Sequence, residues 1–515
     1  MDFLFNIMRL LTFITVLFLL GCSNSTPSEH PTKTEHIPKS TPSYLKQVTA
    51  SLRTDHIANA KSGFFLLADP IDALVARAGL MRKAEHTLDV QYYIYKDDLA
   101  GQILAYEMLL AADRGVRVRL LLDDLGSYGN DKGIFALNAH PNIEIRLFNA
   151  FSRSRTMPGQ LLTGFGEKTR RMHNKALIAD NQFSIIGGRN IGNEYFGANP
   201  DILFDDLDVL LTNPVTDDVS GMFDEFWNSR KARDASEKID LEMDEAMLKS
   251  LRDSLERGLH LHADSDYAQA IANSTLVNEN GLSDVQFDWA IAVLKADNAE
   301  KIAASRDEYA LMLAPQMLPL VDGLSERFIM VSPYFVPGDD GVEFFRVLRQ
   351  RDVEVIIITN SLASNDVAIV HSGYAKYRRD LLEMGVKLYE VDGRDIEKTK
   401  RSTIPDWFAS RSSLHAKFFI FDDTATFIGS FNFDPRSYYE NTEVGVAIYS
   451  NTLSVELADE LLKILPLHTF EVSLNEDNKL QWQVGEEVFN TEPGTGWFKR
   501  TLNVMMGWLP VESEL

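Results

Sequence analysis

Cysteine is nearly absent: Cys22 is the only one in 515 residues. A single thiol excludes an intrachain disulfide framework and a cysteine-rich zinc site. Positive charge is scarce. Fifty-one Lys and Arg stand against seventy-five Asp and Glu, giving a net charge of −24. That surface repels polyanions at long range, which argues against a general nucleic-acid binder but leaves room for a small basic pocket. The apolar run LLTFITVLFLL (10–20) falls short of the roughly twenty residues a membrane-crossing helix needs. P-loop, dinucleotide-glycine, serine-hydrolase and H-E-x-x-H zinc motifs are all missing. What is present is ordinary globular usage, 45% hydrophobic and 24% charged, over a length that calls for two or more cores.

The apolar run follows Arg9 and ends in Leu19-Leu20-Gly21-Cys22. A short apolar stretch behind a cation reads as an export signal. Its end resembles a bacterial lipobox, which implies that Cys22 is lipidated. The chain is thus expected to be a membrane-anchored, periplasm-facing lipoprotein; Ser23 at the next position favours the outer membrane. Residues 22–44, rich in Ser, Thr and Pro, read as a disordered tether in which His30 and His36 are solvated.

Beyond the tether the same plan occurs twice. LDVQYYIY (88–95), a helix from about Leu99 to Arg114, GVRVRLLLDD (115–124) and IEIRLF (143–148) form the first copy. FIMVSPYFV (328–336), a helix around Val342–Gln350, VEVIIITNS (353–361) and VKLYEV (386–391) form the second. Strands alternating with helices at this spacing predict a parallel-rich sheet covered by helices, built as two homologous domains.

Each copy then carries H-x-K-x4-D-x6-G-[GS]-x-N. In MHNKALIADNQFSIIGGRN (172–190) these are His173, Lys175, Asp180, Gly187, Gly188 and Asn190. In LHAKFFIFDDTATFIGSFN (414–432) they are His415, Lys417, Asp422, Gly429, Ser430 and Asn432. His and Lys two apart on a strand point to one face, so imidazole and ammonium converge on a single phosphate. The apolar run buries the strand, the Asp closes a turn, and small residues let the backbone approach an anion. Phosphodiester cleavage needs a nucleophile, a proton donor for the leaving alcohol and cations for the phosphoryl oxygens. Two histidines and two lysines at a domain interface supply all three without a metal or cofactor.

From about Leu66 to Leu465 the chain resembles the phospholipase D superfamily, and within it the bacterial cardiolipin synthases of the C type. That resemblance rests on the paired motifs together with RRMHNK (170–175), GGRNIGNEYFGA (187–198), TNSLASNDVAIVHSGYAKYRRDLL (359–382), GSFNFDPRS (429–437) and GWLPVE (507–512). It implies two α/β domains, each a mixed sheet flanked by helices, packed with pseudo-two-fold symmetry. It also implies phosphatidyl transfer through a phosphohistidine, making cardiolipin from phosphatidylglycerol and a second phospholipid such as phosphatidylethanolamine. His173 would be the nucleophile and His415 the general acid, then base, although nothing in the sequence breaks the symmetry. Lys175, Lys417, Asn190 and Asn432 would hold the phosphoryl oxygens. A carboxylate would orient each histidine across the halves, Glu443 on His173 and Asp208 on His415, leaving Asp180 and Asp422 structural. Hydrolysis to phosphatidic acid is the alternative; a nuclease or a non-catalytic lipid-binding lipoprotein fits less well.

The expected boundaries are a signal at 1–21, the tether at 22–44, a first domain at 45–231, a helical insertion at 232–307, a second domain at 308–470 and an extension at 471–515. The insertion carries His260 and His262 at metal-like spacing but no third ligand. His371 is a candidate for the lipid cleft. WFKRTLNVMMGWLP (497–510) reads either as a helix seated on the membrane interface or as one packed against the body. Phospholipids and a membrane surface are the expected partners; oligomeric state leaves no signature.

Overall fold

The computed structural model describes residues 32–52, 60–128, 133–163, 166–199, 203–239, 244–274, 276, 281–365, 367–394, 412–508 and 512. The signal, Cys22 and His30 lie outside them. Met1–Thr32 and Lys33–Leu515 are separate units, and the second contains everything below.

The first repeat runs β1 (Ser62–Leu67), α1 (Pro70–Lys83), β2 (Thr87–Tyr92), α2 (Leu99–Asp113), β3 (Arg117–Asp123), β4 (Ile143–Phe148), β5 (Ala176–Ala179), β6 (Phe183–Gly187), β7 (Leu203–Asp205), β8 (Asp208–Thr212), α3 (Pro214–Trp227) and β9 (Ala232–Asp234). After α4 (Glu245–Leu261) the second repeat follows: β10 (Asp288–Ala296), β11 (Arg327–Val331), α5 (Gly338–Gln350), β12 (Glu354–Asn360), α6 (Ala368–Ala375), β13 (Lys387–Val391), β14 (Ser412–Leu414), β15 (Phe418–Phe421), β16 (Ala425–Gly429), β17 (Val444–Tyr449), α7 (Asn451–His468) and β18 (Thr469–Leu474). A hairpin of β19 (Leu480–Val484) and β20 (Glu487–Phe489) and then α8 (Trp497–Met506) complete the chain.

Pairing matches strand for strand. In the first repeat β2, β3 and β4 are parallel, and β5, β6, β8 and β1 extend the sheet antiparallel from β2. In the second, β11, β12 and β13 are parallel, and β15, β16, β17 and β10 follow in the same order. The central strands bury nearly every residue, as helix-covered parallel strands should. One core packs helices such as α2 on the outer face of the first sheet, and another packs α5 on the second. Between them lies a third core, drawn from both repeats, in which Ile178 and Val209 meet Ile356 and Ile428. This seam positions the site.

Two segments depart from the sequence-based expectation. Residues 288–296, expected within the insertion, are β10: its N-terminal end pairs with β1 and its remainder with β17, so it joins the two sheets. The tether is ordered from Lys33 onward. Thr34 exchanges hydrogen bonds with Asn228 and receives one from the Trp227 indole, and His36 Nδ1 lies 2.7 Å from Asp224. The Ile37 and Lys39 carbonyls accept from Asn181 and Gln182. Backbone hydrogen bonding, which composition does not report, holds this strap on the body.

Candidate active site

Each H-x-K lies just ahead of its strand, β5 or β15, rather than within it. The position is fixed by parallel pairing across the halves. Met172 pairs with Thr442, with the His173 amide donating to the Thr442 carbonyl and the Thr442 amide to the Arg171 carbonyl. In the mirrored arrangement β14 pairs with β7, and the His415 amide donates to the Asp205 carbonyl. A histidine from one half therefore stands beside the residue after the paired position of the other half. Those residues are Glu443 and Asp206.

The His173 Nδ1 lies 2.8 and 3.0 Å from the two Glu443 carboxylate oxygens. His415 Nδ1 is 2.5 Å from Asp206 Oδ2. Both rings can donate Nδ1–H to a carboxylate, leaving Nε2 for chemistry. The expected partner of His415, Asp208, is elsewhere. It receives Arg77 Nη2 at 2.7 Å and Arg189 Nη1 at 3.2 Å, all three fully buried. The register explains the correction: Asp208 stands opposite Gly187 as Gly445 stands opposite Gly429, so Asp206 is the counterpart of Glu443. Asp206 and Asp208 are two apart in sequence, and the signal that separates them is the match of L-D-V (207–209) to V-G-V (444–446).

The small residues after β6 and β16 have a related purpose. A Cβ at Gly188 would sit 2.1 Å from Asp206 Oδ1. In the other half Ser430 donates to Glu443 at 2.5 Å and accepts from the Val444 amide. The anion approached by these residues is the orienting carboxylate.

Lys175 donates to the His173 carbonyl at 2.6 Å, and Lys417 to the His415 carbonyl. Lys417 Nζ also lies 2.8 and 3.2 Å from the two ring nitrogens of His415. Tyr93 packs edge-on against His173 and Tyr195 against His415, with centroids 5.0 and 5.2 Å apart. Asn190 is engaged by the Ile94 amide and the Tyr195 hydroxyl, whereas the buried Asn432 carbonyl oxygen has no hydrogen-bond partner among the described residues. Asp180 receives the amides of Glu85, His86 and Thr87, and Asp422 those of Ser325, Glu326 and Arg327. Both anchor the chain entering β2 or β11, away from the histidines.

Burial, then Lys175 and Lys417, hold His173 well below its ordinary range. Burial and Lys417 take His415 down to about 4 against the pull of Asp206. Each imidazole feels the other half's lysine, which ties the two motifs electrostatically. Burial pushes Glu443 up to about 7 despite Lys175. Burial would raise Asp206 too, but His415 and Lys417 outweigh it and keep it low.

Among the described residues, one trio could in principle hold a metal: His371, Glu390 and Glu492. Arg378 already serves there, reaching Glu390 at 2.7 Å, His371 Nε2 at 2.9 Å and Glu492. The guanidinium occupies the cation's place. His371, expected near the lipid cleft, is buried in this network.

Two mixed α/β repeats that exchange carboxylates onto a pair of histidines define a two-motif phospholipase D architecture. The family model for the cardiolipin synthase, PLD-like domain matches residues 78–227 and 320–465, and the chain belongs to that family. Cardiolipin synthase C of Escherichia coli (strain K12) is 38% identical over 460 residues, 87% of this chain and 95% of that protein. An uncharacterized protein of Helicobacter pylori (strain ATCC 700392 / 26695) is 31% identical over 98% of this chain and 99% of its own. The crystal structure of phosphatidylserine synthase from Haemophilus influenzae Rd KW20 shares the fold, with a TM-score of 0.56 and 13% identity over 92% of this chain and 100% of its own. The chain is a phospholipid-modifying enzyme of the phospholipase D superfamily.

Proposed function

We propose that this enzyme is a phosphatidyltransferase that makes cardiolipin from phosphatidylglycerol and a second phospholipid, with phosphatidylethanolamine as the favoured donor. The observation that carries the reading is the pair of crossed contacts, His173 with Glu443 and His415 with Asp206. In the first step His173 Nε2 attacks the donor phosphorus, the P–O bond to the headgroup alcohol breaks, and His415 supplies that alcohol's proton. In the second, His415 takes the proton of the phosphatidylglycerol hydroxyl as its oxygen attacks phosphorus and the P–N bond to His173 breaks. Lys175, Lys417 and Asn432 hold the phosphoryl oxygens, whose charge offsets the mutual repulsion of the two ammonium groups.

The two halves differ in a way that supports this division of labour. Asp206, kept low by His415 and Lys417 despite burial, is the firmer anion. It supports the charge His415 takes on once the phosphoryl oxygens offset the lysines that otherwise help hold that ring down to about 4. Glu443, raised to about 7 by burial and shared with Ser430, is the weaker anion: it leaves His173 neutral for attack and, while ionised, supports the charge the ring gains on bonding to phosphorus.

Lipidated Cys22 would tether the enzyme to the periplasmic side of a bacterial membrane, the outer one favoured. Labelled phosphatidylglycerol incubated with the enzyme should give labelled cardiolipin, in greater yield when phosphatidylethanolamine is present than when it is left out. Phosphatidic acid as the sole product would replace the transferase with a hydrolase.

A further inference from the structure

A short helix near the end of the chain is inside out. Helix α8 turns its polar Asn503 inward, only 6% exposed. Trp497, Phe498, Leu502, Val504 and Met505, and Trp508 just beyond it, are 38–79% exposed. An ordinary surface helix does the reverse. Eight large apolar side chains elsewhere among the described residues are this exposed, but they are scattered, and no other stretch gathers so many. A cluster of this kind marks an interaction surface.

The helix is mounted rather than loose. Asn503 Oδ1 faces His371 Nδ1 at 3.4 Å, and His371 Nε2 accepts from Arg378, which grips Glu390 and Glu492. Arg500 donates to the Thr495 carbonyl at 2.7 Å, closing the turn that leads into the helix. Buried polar anchoring on one side holds the apolar side chains outward on the other.

We propose that this face docks on the surface of an anionic phospholipid bilayer. Charge complementarity selects that occupant. Residues 493–508 carry Lys499 and Arg500 and no carboxylate, in a chain of net charge −24. Tryptophan at both ends of an apolar face beside cations suits the headgroup boundary, where the indole ring is buried and its N–H stays wet. The ten-residue helix, packed beside α6 of the repeat that carries His415, is too short to cross a bilayer and lies along it. The docking rests on the phospholipid-substrate reading only for its turnover arm.

The test uses the full chain in phosphatidylethanolamine–phosphatidylglycerol vesicles with brominated acyl chains, which quench tryptophan on contact. Quenching is expected, and Trp497→Phe with Trp508→Phe should reduce it at least threefold, leaving the signal of the other four tryptophans. A second variant, Leu502→Asp with Met505→Asp, should lower turnover of bilayer phospholipid tenfold or more while turnover of a short-chain soluble phospholipid stays within twofold. Unquenched wild-type fluorescence would overturn the proposal, as would unchanged bilayer turnover in the aspartate variant. A concentration-dependent dimer that this variant dissociates would also overturn it, assigning the face to a second copy. Quenching without cardiolipin formation would leave the docking standing and remove the proposed reaction.

Discussion

At the residue scale the site turns on which carboxylate meets which ring. Asp206→Asn keeps the shape but removes the anion that supports a cationic His415. Turnover is expected to fall by about 10²–10⁴-fold with the fold intact by circular dichroism. Asp208→Asn should do the opposite, leaving two buried guanidinium groups short of an anion and costing about 3–5 kcal/mol of stability in denaturant unfolding. If Asp208→Asn were well folded and inactive while Asp206→Asn worked, the assignment would be reversed. His173→Ala and His415→Ala should each abolish transfer, measured as labelled cardiolipin.

The pH profile also belongs to this scale. Glu443, raised to about 7, takes up a proton as pH falls through that value and ceases to support charge on His173. Turnover should therefore fall on the acid side with a midpoint near pH 7, and Glu443→Gln should be slow and lack that limb. The stability sign is opposite: a carboxyl raised in the folded state favours folding below its unfolded value, and that contribution is lost as pH rises through about 7. Asp297 and Asp434, raised by burial to about 7, act in the same direction.

At the scale of elements, β10 does more than connect. Asp297 at its end donates its amide to the Glu443 carbonyl and accepts the Glu443 amide at 2.7 Å. Lys301 Nζ reaches Asp297 at 2.9 Å and the Ser437 carbonyl at 3.0 Å. Its charge is one of the influences that lower Glu443. Lys301→Met should accordingly move the acid limb to higher pH, and Lys301→Arg should restore it. The expected helical insertion at 232–307 gave no hint of this, because Asp297 works on the Glu443 backbone and belongs to no motif. The strap at 33–43 escaped for a similar reason: Ser, Thr and Pro composition signals weak burial, yet Thr34 and His36 are held by specific partners on α3. Thr34→Ala with His36→Ala should speed proteolysis of that segment.

For the whole molecule, neither repeat holds a complete site, since each lends its carboxylate to the other's histidine. Chelators are expected to leave turnover within about twofold, because ammonium groups fill the place of a Lewis acid. Strict dependence on an added divalent ion would contradict that mechanism.

The sequence by itself determined the duplicated α/β plan and both histidine–lysine pairs, because repeated spacing and strand periodicity are local records; the crossing of Glu443 onto His173 was implied only by the family resemblance. It did not distinguish Asp206 from Asp208. Two acidic residues two positions apart, one between β7 and β8 and one opening β8, look alike until pairing fixes the register. Nor did it decide whether residues 497–508 pack inward or outward, since an amphipathic pattern names two faces and not which one meets the protein. The tertiary structure made both choices, through hydrogen bonds between residues more than a hundred positions apart.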